Sequence, residues 1–384
     1  MRVHLFHQYF RYPAEGGAIR SYFLARALQE AGHEVVVFTA HNQHVGQQDI
    51  AGIPVVYLPV AYHNRFGFKK RIASYLKFVY HAIRASRKYP HPDLNYIITT
   101  PLTAGLIGLW WRRKQIPYAF EIGDLWPEVP IQMGFIRQRI VRNLLYRFER
   151  KLYLRADKLI GLSPSIKDYI EYTCDFEVSA ISIPNMADVT FYELVKRKER
   201  VSAANPFQIT YLGTFGVAND LSLLLSVAKL AREQKLPIQF NFMGEGAQEE
   251  MLRAAADQSG HVRLFPFGTR TEVKALMDTS DAIYVSFAEV PILGTGSPNK
   301  FFDGLAAGKL IILNFSGWIK NMVMEHECGL YHQPPYDQRL LDELIPFIES
   351  PTLLEEYQKN ARRLAEEQFD TKVLLRQWMA YIEA

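Results

Sequence analysis

The sequence predicts an α/β protein built from two doubly wound parallel-sheet domains that face each other across a cleft. Three observations predict it. The chain has 384 residues, more than one ordinary core of about 100 to 200 residues holds. Short apolar runs alternate with longer helical patterns, and runs such as Val35-Val36-Val37-Phe38 are apolar on both faces, as strands covered by helices on both sides are. That rhythm stops over 191–206, where Lys196-Arg197-Lys198-Glu199-Arg200 lacks periodicity, and then restarts. The expected organisation is a first domain over 1–190, a linker over 191–206, a second domain over 207–368 and a last helix over 369–384 that packs back on the first domain.

Taken in order, strands are expected at 3–9, 34–39, 55–59, 96–99, 118–121, 158–162 and 180–184, with helices between them. The second domain is expected to place strands at 208–212, 239–243, 262–266, 282–286 and 310–314. Two helices broken near Phe369-Asp370-Thr371 close the chain. Open parallel sheets bind ligands beyond the carboxyl ends of their strands, so two such sheets facing each other create a site between them.

Composition removes several classes. With 48% hydrophobic and 22% charged residues the chain buries a core and is not disordered. Cys174 and Cys328 lie far apart, which excludes a disulfide framework and a cysteine-built zinc site and fits a reducing, cytoplasmic compartment. MRVHLFHQYF carries charge and histidine where a signal peptide needs an apolar run, and it reads as a buried first strand. The longest uncharged apolar stretch, 102–111, ends at Arg112-Arg113-Lys114, well short of the roughly 20 residues a membrane span needs. Charge is lopsided: residues 1–190 hold 24 Lys and Arg against 15 Asp and Glu, the remainder 20 against 25. A basic half of this kind faces an anionic partner.

Two segments carry phosphate chemistry. After the first strand, Glu15-Gly16-Gly17-Ala18-Ile19-Arg20 opens a helix running to about Ala31; adjacent glycines let amide groups crowd against an anion at the helix start, although a tight strand-to-helix turn uses the same residues. The three-glycine dinucleotide fingerprint is absent, which argues against a nicotinamide dehydrogenase. The second segment runs Gly294-Thr295-Gly296-Ser297-Pro298-Asn299-Lys300 through Asp303 to Gly308. Ser297 is expected to cap a helix whose first position is Pro298, and Lys300 and Asp303, three apart, share one face, where they meet one ligand or simply each other.

With the turn Gly213-Thr214-Phe215-Gly216 and with Gly244-Glu245-Gly246, these segments resemble, in this order, glycosyltransferase family 4, retaining enzymes of the GT-B fold with two Rossmann-like domains. Asp124-Leu125-Trp126-Pro127-Glu128 and Ser297-Pro298-Asn299-Lys300 look most like the bacterial branch that includes fucosamine-type transferases of O-antigen and capsule assembly. The resemblance covers nearly the whole chain. It implies a sugar moved from a nucleoside diphosphate sugar, expected to be uridine-linked, to a hydroxyl of a lipid-linked saccharide, with no cofactor. By resemblance Gly16, Gly17, Gly213, Thr214, Gly244, Gly246, Gly296, Ser297, Asn299 and Asp303 bind the donor. The family's two glutamates, with seven residues between them, fall here on Thr295 and Asp303, so the first carboxylate is missing. The cations that usually follow the second domain's glycine turn are also missing, and Lys300 supplies that charge.

A departing diphosphate must be neutralised by a metal or by fixed dipoles and cations. No Asp-x-Asp pair or histidine cluster of ligand spacing occurs, so no metal is expected and Lys300 with the helix amides carries the load. Asp124, just past the strand 118–121, is the candidate acceptor-hydroxyl contact or base, or else a helix cap. Glu121 and Arg20 are further candidate acceptor contacts.

Residues 65–88 hold Arg65, Lys69, Lys70, Arg71, Lys77, Arg84, Arg87 and Lys88 without an acid, around an expected apolar stripe Ile72, Leu76, Val79 and Ile83. A second run, 137–158, has eight bases against Glu149 and Asp157. Basic amphipathic helices suit an anionic membrane surface, here the inner face of the cell membrane, or are solvated helices with their apolar sides on the core. No nucleic-acid fold accompanies them. Two other functions fit the same architecture, a nucleotide-sugar 2-epimerase and a non-catalytic GT-B nucleotide-sugar-binding protein.

Overall fold

A computed structural model describes residues 1–63, 66–195 and 201–384. Arg65 and the basic run at 196–200, both singled out above, lie outside the described residues. The first half folds as β1 (Arg2–Phe6), α1 (Arg20–Glu30), β2 (Glu34–Ala40), β3 (Gly46–Ile50), β4 (Ile53–Leu58), α2 (Phe68–Ser86), β5 (Leu94–Ile98), α3 (Gly105–Arg112), β6 (Tyr118–Ile122), α4 (Glu128–Gln132), α5 (Arg139–Arg155), β7 (Lys158–Gly161), α6 (Pro164–Thr173) and β8 (Ile181–Ser182). Its sheet runs β3-β4-β2-β1-β5-β6-β7-β8, parallel except for β3. The second half folds as β9 (Phe207–Leu212), α7 (Ser222–Glu233), β10 (Ile238–Met243), α8 (Glu249–Gln258), β11 (Val262–Phe265), α9 (Arg270–Asp278), β12 (Ala282–Val285), α10 (Asn299–Ala306), β13 (Leu310–Leu313), α11 (Trp318–Glu325), β14 (Gly329–Tyr331), α12 (Asp337–Glu349), α13 (Pro351–Leu364) and α14 (Thr371–Glu383). Its sheet is β11-β10-β9-β12-β13-β14, with every pair parallel.

Strand order reverses at β1/β5 in one sheet and at β9/β12 in the other. Crossover helices leave to opposite faces at such a point, so the loops beyond the strand ends splay apart and open a crevice. The loops after β1, β5 and β6 meet those after β9 and β12, and the cleft lies between them. Helices cover both faces, which is why β5, β6, β10 and β13 are buried at every position.

Two strands were not anticipated. β3, Gly46-Gln47-Gln48-Asp49-Ile50, is a polar antiparallel edge strand with four exposed residues, so no apolar alternation announces it. β14 has only three residues. The apolar stripe read in 65–88 is also corrected: α2 turns Tyr75, Phe78, Val79 and Ala82 to the core and leaves Leu76 half exposed. The stripe drifted because Tyr75 and Phe78, not Leu76, align with Val79 on the inward face at helical spacing.

The chain returns to the first domain at its end. A parallel bridge joins Ala187 to Asp370, Thr371 N donates to Ala187 O at 3.1 Å, and α14 then packs on α1 with Leu374, Trp378 and Ile382 buried.

Candidate active site

Two cavities open in the cleft, one of about 370 Å³ and one of about 330 Å³. They share Ala18, Arg20, Pro298 and Asn299 and so adjoin along the cleft, with these four residues at their junction. The first cavity is lined by Gly17 and Arg20 from one domain and by Gly213, Thr214, Lys300 and Asp303 from the other. The second is lined by Thr100, Glu121 and Asp124 of the first domain and by Gly296, Ser297 and Thr295 of the second.

Lys300 and Asp303 do share a face of α10 and line the same cavity. Lys300 Nζ donates to Tyr211 Oη at 2.8 Å and to Asn219 Oδ1 at 3.5 Å, and burial pulls its ammonium down to about 7. Asp303 is pushed up to about 7 by burial, opposed by the Arg270 guanidinium, raised further by Asp188 and lowered by a hydrogen bond with Tyr192. Arg270 pairs with Asp188 at 2.6 Å across the domain boundary, and its guanidinium stacks 3.8 Å from the Phe191 ring centroid. Arg270, Asp188, Tyr192, Tyr211 and Asn219 escaped the sequence reading. Only Arg270 had a local signal: it follows Thr269 in a capping box completed by Glu272, and so begins a helix at the cleft.

Arg20, the first residue of α1, is buried and grips Glu121 in a fork, Nε to Oε1 at 2.9 Å and Nη2 to Oε2 at 3.0 Å. Both Glu121 oxygens are thereby occupied, so it acts on a ligand only through Arg20. Asp124 is solvent-exposed where it opens into the second cavity and accepts from Thr100 Oγ1 at 3.3 Å; crowding by the cleft desolvates its carboxyl in part and raises its pKa, against the lowering effect of that hydrogen bond. It caps no helix, since α4 begins four residues later behind Pro127 without a side-chain cap. His7 faces the same cavity and bonds Ser21 Oγ at 2.9 Å; burial, then Arg11 and Arg20, hold it down to about 3 and therefore neutral.

Several expected roles fall elsewhere. Ser297 does not cap α10, which starts at Asn299 behind Pro298 with no side-chain cap. Its Oγ instead accepts from Asn185 N at 3.0 Å, and Asn185 Nδ2 donates to its carbonyl, because the loop is pinned to the facing domain before the helix begins. Ser163 Oγ holds the same loop through Thr295 O at 2.6 Å. The Thr295 hydroxyl turns back to Ile292 O at 2.7 Å. Gly244 and Gly246 lie outside both cavities: a Cβ on Gly244 would sit 1.8 Å from Gly213 O and one on Gly246 2.6 Å from Phe215 O, so they bring two loops together. Gly16 likewise approaches Arg270 N, at 3.2 Å from an added Cβ, whereas Gly17 lines the first cavity. Gly296 lines the second cavity, not the first.

Among the described residues, Glu15, His41 and His44 bring metal-ligand chemistry within 4.8 Å, outside both cavities. His41 Nδ1 accepts from Gln43 N at 3.0 Å and His44 N at 3.2 Å, so its proton sits on Nε2, facing Glu15 Oε1 at 3.3 Å. That tautomer donates to Glu15 and leaves no lone pair on Nε2 for an ion.

Two facing parallel α/β domains with a groove at their switch points define the GT-B architecture. The chain matches the glycosyl transferase 4-like domain over residues 15–173 and the group 1 glycosyl transferases over 194–364, and it is a glycosyltransferase of that fold. Among solved structures it is similar to the sucrose-phosphate synthase of Thermosynechococcus elongatus, with a TM-score of 0.77 at 16% identity over 100% of this chain and 98% of that one. It is also similar to Anabaena HepE in complex with UDP-glucose, at 0.71 and 16% over 100% and 99%, and to the α,α-trehalose 6-phosphate synthase of Burkholderia multivorans, at 0.73 and 12% over 99% and 98%. At these identities the likeness is one of fold. No curated protein matches the chain.

Proposed function

We propose that this chain is a retaining family 4 glycosyltransferase that moves a sugar from a UDP-sugar to a hydroxyl of a lipid-linked saccharide in bacterial surface-polysaccharide synthesis. The observation that carries the reading is the cleft itself: Lys300 and Asp303 on one face of α10 in the first cavity, the Asp124 carboxylate in the second, and shared lining residues between them. The nucleotide occupies the first cavity, its diphosphate beside Lys300 and its ribose hydroxyls on Asp303. The acceptor enters the second, with its hydroxyl on Asp124, and the sugar bridges the junction. The acceptor oxygen bonds to the anomeric carbon as the carbon–phosphate-oxygen bond breaks on the same face. The acceptor proton passes to a donor phosphate oxygen and leaves with UDP, so no protein nucleophile is needed. Lys300 and the amides at the start of α10 balance the leaving group's charge, and the reaction is expected to run without a divalent ion.

The membrane part rests on exposed apolar residues beside basic ones. Phe135 just before α5 and Ile140 and Leu144 at its start are well exposed, next to Arg137 and Arg139, and Leu76 and Tyr80 are exposed on α2 beside Lys77 and Arg84. Such a surface suits the anionic cytoplasmic leaflet. Among the described residues no helix is long and apolar enough to cross a membrane.

Calorimetric titration with UDP and a panel of UDP-sugars tests the donor, and proton NMR of the product formed on a lipid-linked acceptor tests the stereochemistry. Saturable UDP binding and an axial product bond are expected. Failure of UDP to bind would overturn the reading. The back-turned Thr295 hydroxyl favours a second, non-catalytic reading, which donor binding without transfer to any acceptor would support. A changed sugar formed from donor alone would indicate the epimerase.

A further inference from the structure

The C-terminal helix reaches the groove through a chain of four buried side chains. Trp378 Nε1 on α14 donates to Tyr96 Oη at 2.8 Å, Tyr96 Oη donates to Glu121 Oε2 at 2.5 Å, and Glu121 forks to Arg20, which lines both cavities. Trp378, Tyr96 and Glu121 are fully buried and Arg20 is 7% exposed. We propose that Trp378 and Tyr96 are positioning residues that hold the Arg20 guanidinium at the junction of the two cavities, where it meets the sugar-bearing phosphate of a nucleotide sugar whose diphosphate lies beside Lys300; this rests on the nucleotide-sugar reading above.

The direction of the chain follows from the donor inventory. An indole nitrogen only donates, so the tyrosine oxygen accepts from it and its own proton is left for Glu121. Rotation of the Tyr96 hydroxyl is thereby fixed by a residue on another element. The Tyr96 ring is fixed as well, with Trp378 standing edge-on at 5.3 Å. Glu121, held on Oε2 by Tyr96, presents both oxygens to Arg20 in one plane. Arg20 spends a third N–H on Pro184 O at 2.6 Å. A guanidinium carries five N–H groups, and the remaining two, one on each terminal nitrogen, have no protein partner among the described residues. They are the groups available at the junction.

Burying an ion pair costs desolvation that an apolar replacement of the same volume avoids, so stability alone does not require this pair. Placement of a cation at a ligand does. The helix that supplies Trp378 also packs on α1, which carries Arg20, so α14 sets both the base of the guanidinium and its carboxylate partner.

The test uses the full chain, with UDP and UDP-glucose as probes, by calorimetric titration and thermal unfolding. Trp378→Phe keeps the ring and removes the N–H, and Tyr96→Phe removes the hydroxyl alone. Tyr96→Phe is expected to weaken UDP-glucose binding by about tenfold, the worth of one hydrogen bond to a charged group, and Trp378→Phe, which removes one to a neutral hydroxyl, by about fivefold. The double variant is expected to stay within about twofold of Tyr96→Phe, because both act through one chain. Leu374→Ala, a core truncation on the same helix, is expected to lower the unfolding temperature and leave affinity unchanged. Wild-type affinity in Tyr96→Phe and Trp378→Phe, or an equal affinity loss in Leu374→Ala, overturns the proposal. Should Trp378→Phe not fold, Tyr96→Phe alone decides. Absence of UDP and UDP-glucose binding in the wild type removes the nucleotide-sugar reading and this inference with it.

Discussion

Lys300 Nζ donates to Tyr211 Oη at 2.8 Å and lies 4.0 Å from the centroid of the same ring, so one tyrosine holds the ammonium both by hydrogen bond and by its π face. Among the described residues no carboxylate forms an ion pair with it. Burial has lowered its pKa from 10.5 to about 7, and on the function proposed above the group is left for an incoming diphosphate.

That depression predicts proton uptake on binding. At pH 8 the empty site holds mostly neutral Lys300, and a diphosphate favours the charged form, so UDP affinity is expected to fall as pH rises above about 7. Titrations in buffers of different ionisation enthalpy measure the uptake, and Lys300→Met should abolish it. In the empty protein the folded state binds fewer protons at Lys300 between about 7 and 10.5, so this residue's contribution to stability rises with pH across that window.

Asp303 titrates in the opposite sense. Its pKa is raised from 3.8 to about 7, so the folded state binds more protons in that range and its contribution to stability falls as pH rises across it. A protonated carboxyl accepts ribose hydroxyls poorly, so UDP affinity is also expected to drop below about pH 7. Asp303→Asn should weaken UDP by about tenfold and flatten this acid limb, as a titration series from pH 5 to 9 would record.

Asp124→Asn is expected to lower transfer by about tenfold or more, the worth of the hydrogen bond by which its charged carboxylate orients the acceptor hydroxyl, while UDP affinity stays unchanged. The carboxyl lies in the second cavity, outside the one assigned to nucleotide. A weakened UDP affinity in this variant would move Asp124 to the donor side.

Gly244→Ala is expected to destabilise the second domain by several kcal/mol, because the new methyl would meet Gly213 O at 1.8 Å and main-chain atoms cannot yield as a side-chain tip does. Thermal unfolding measures the loss. Gly260→Ala, where nothing lies within 4 Å, is the control expected to unfold like the wild type.

For the membrane surface, Ile140→Asp with Leu144→Asp should reduce cosedimentation with anionic vesicles at low salt and leave soluble-phase UDP binding intact. Vesicle binding that ignores both anionic lipid and these substitutions would defeat the membrane reading.

Much of the fold was legible because it is written locally. Runs such as Val35-Val36-Val37-Phe38 and Leu310–Leu313 are apolar on both faces, the pattern of a parallel strand under helices. Lys300 and Asp303 were legible for the same reason: three positions apart on a helix, they share a face whatever the rest of the chain does. The capping role of Ser297 was misread because a Ser-Pro pair is an ordinary helix start, and only the facing domain, through Asn185, takes the hydroxyl away.

By itself, then, the order of residues determined two parallel α/β halves, the loops at their strand ends and the two ionisable groups on one face of α10, all properties of short segments with a fixed period. Tertiary structure decided which partners complete the groove. Arg20 meets Glu121 across 101 positions, Arg270 meets Asp188 across 82 and Lys300 meets Tyr211 across 89. Those pairings come from strand order and domain approach, which bring together side chains whose separation along the chain carries no signal.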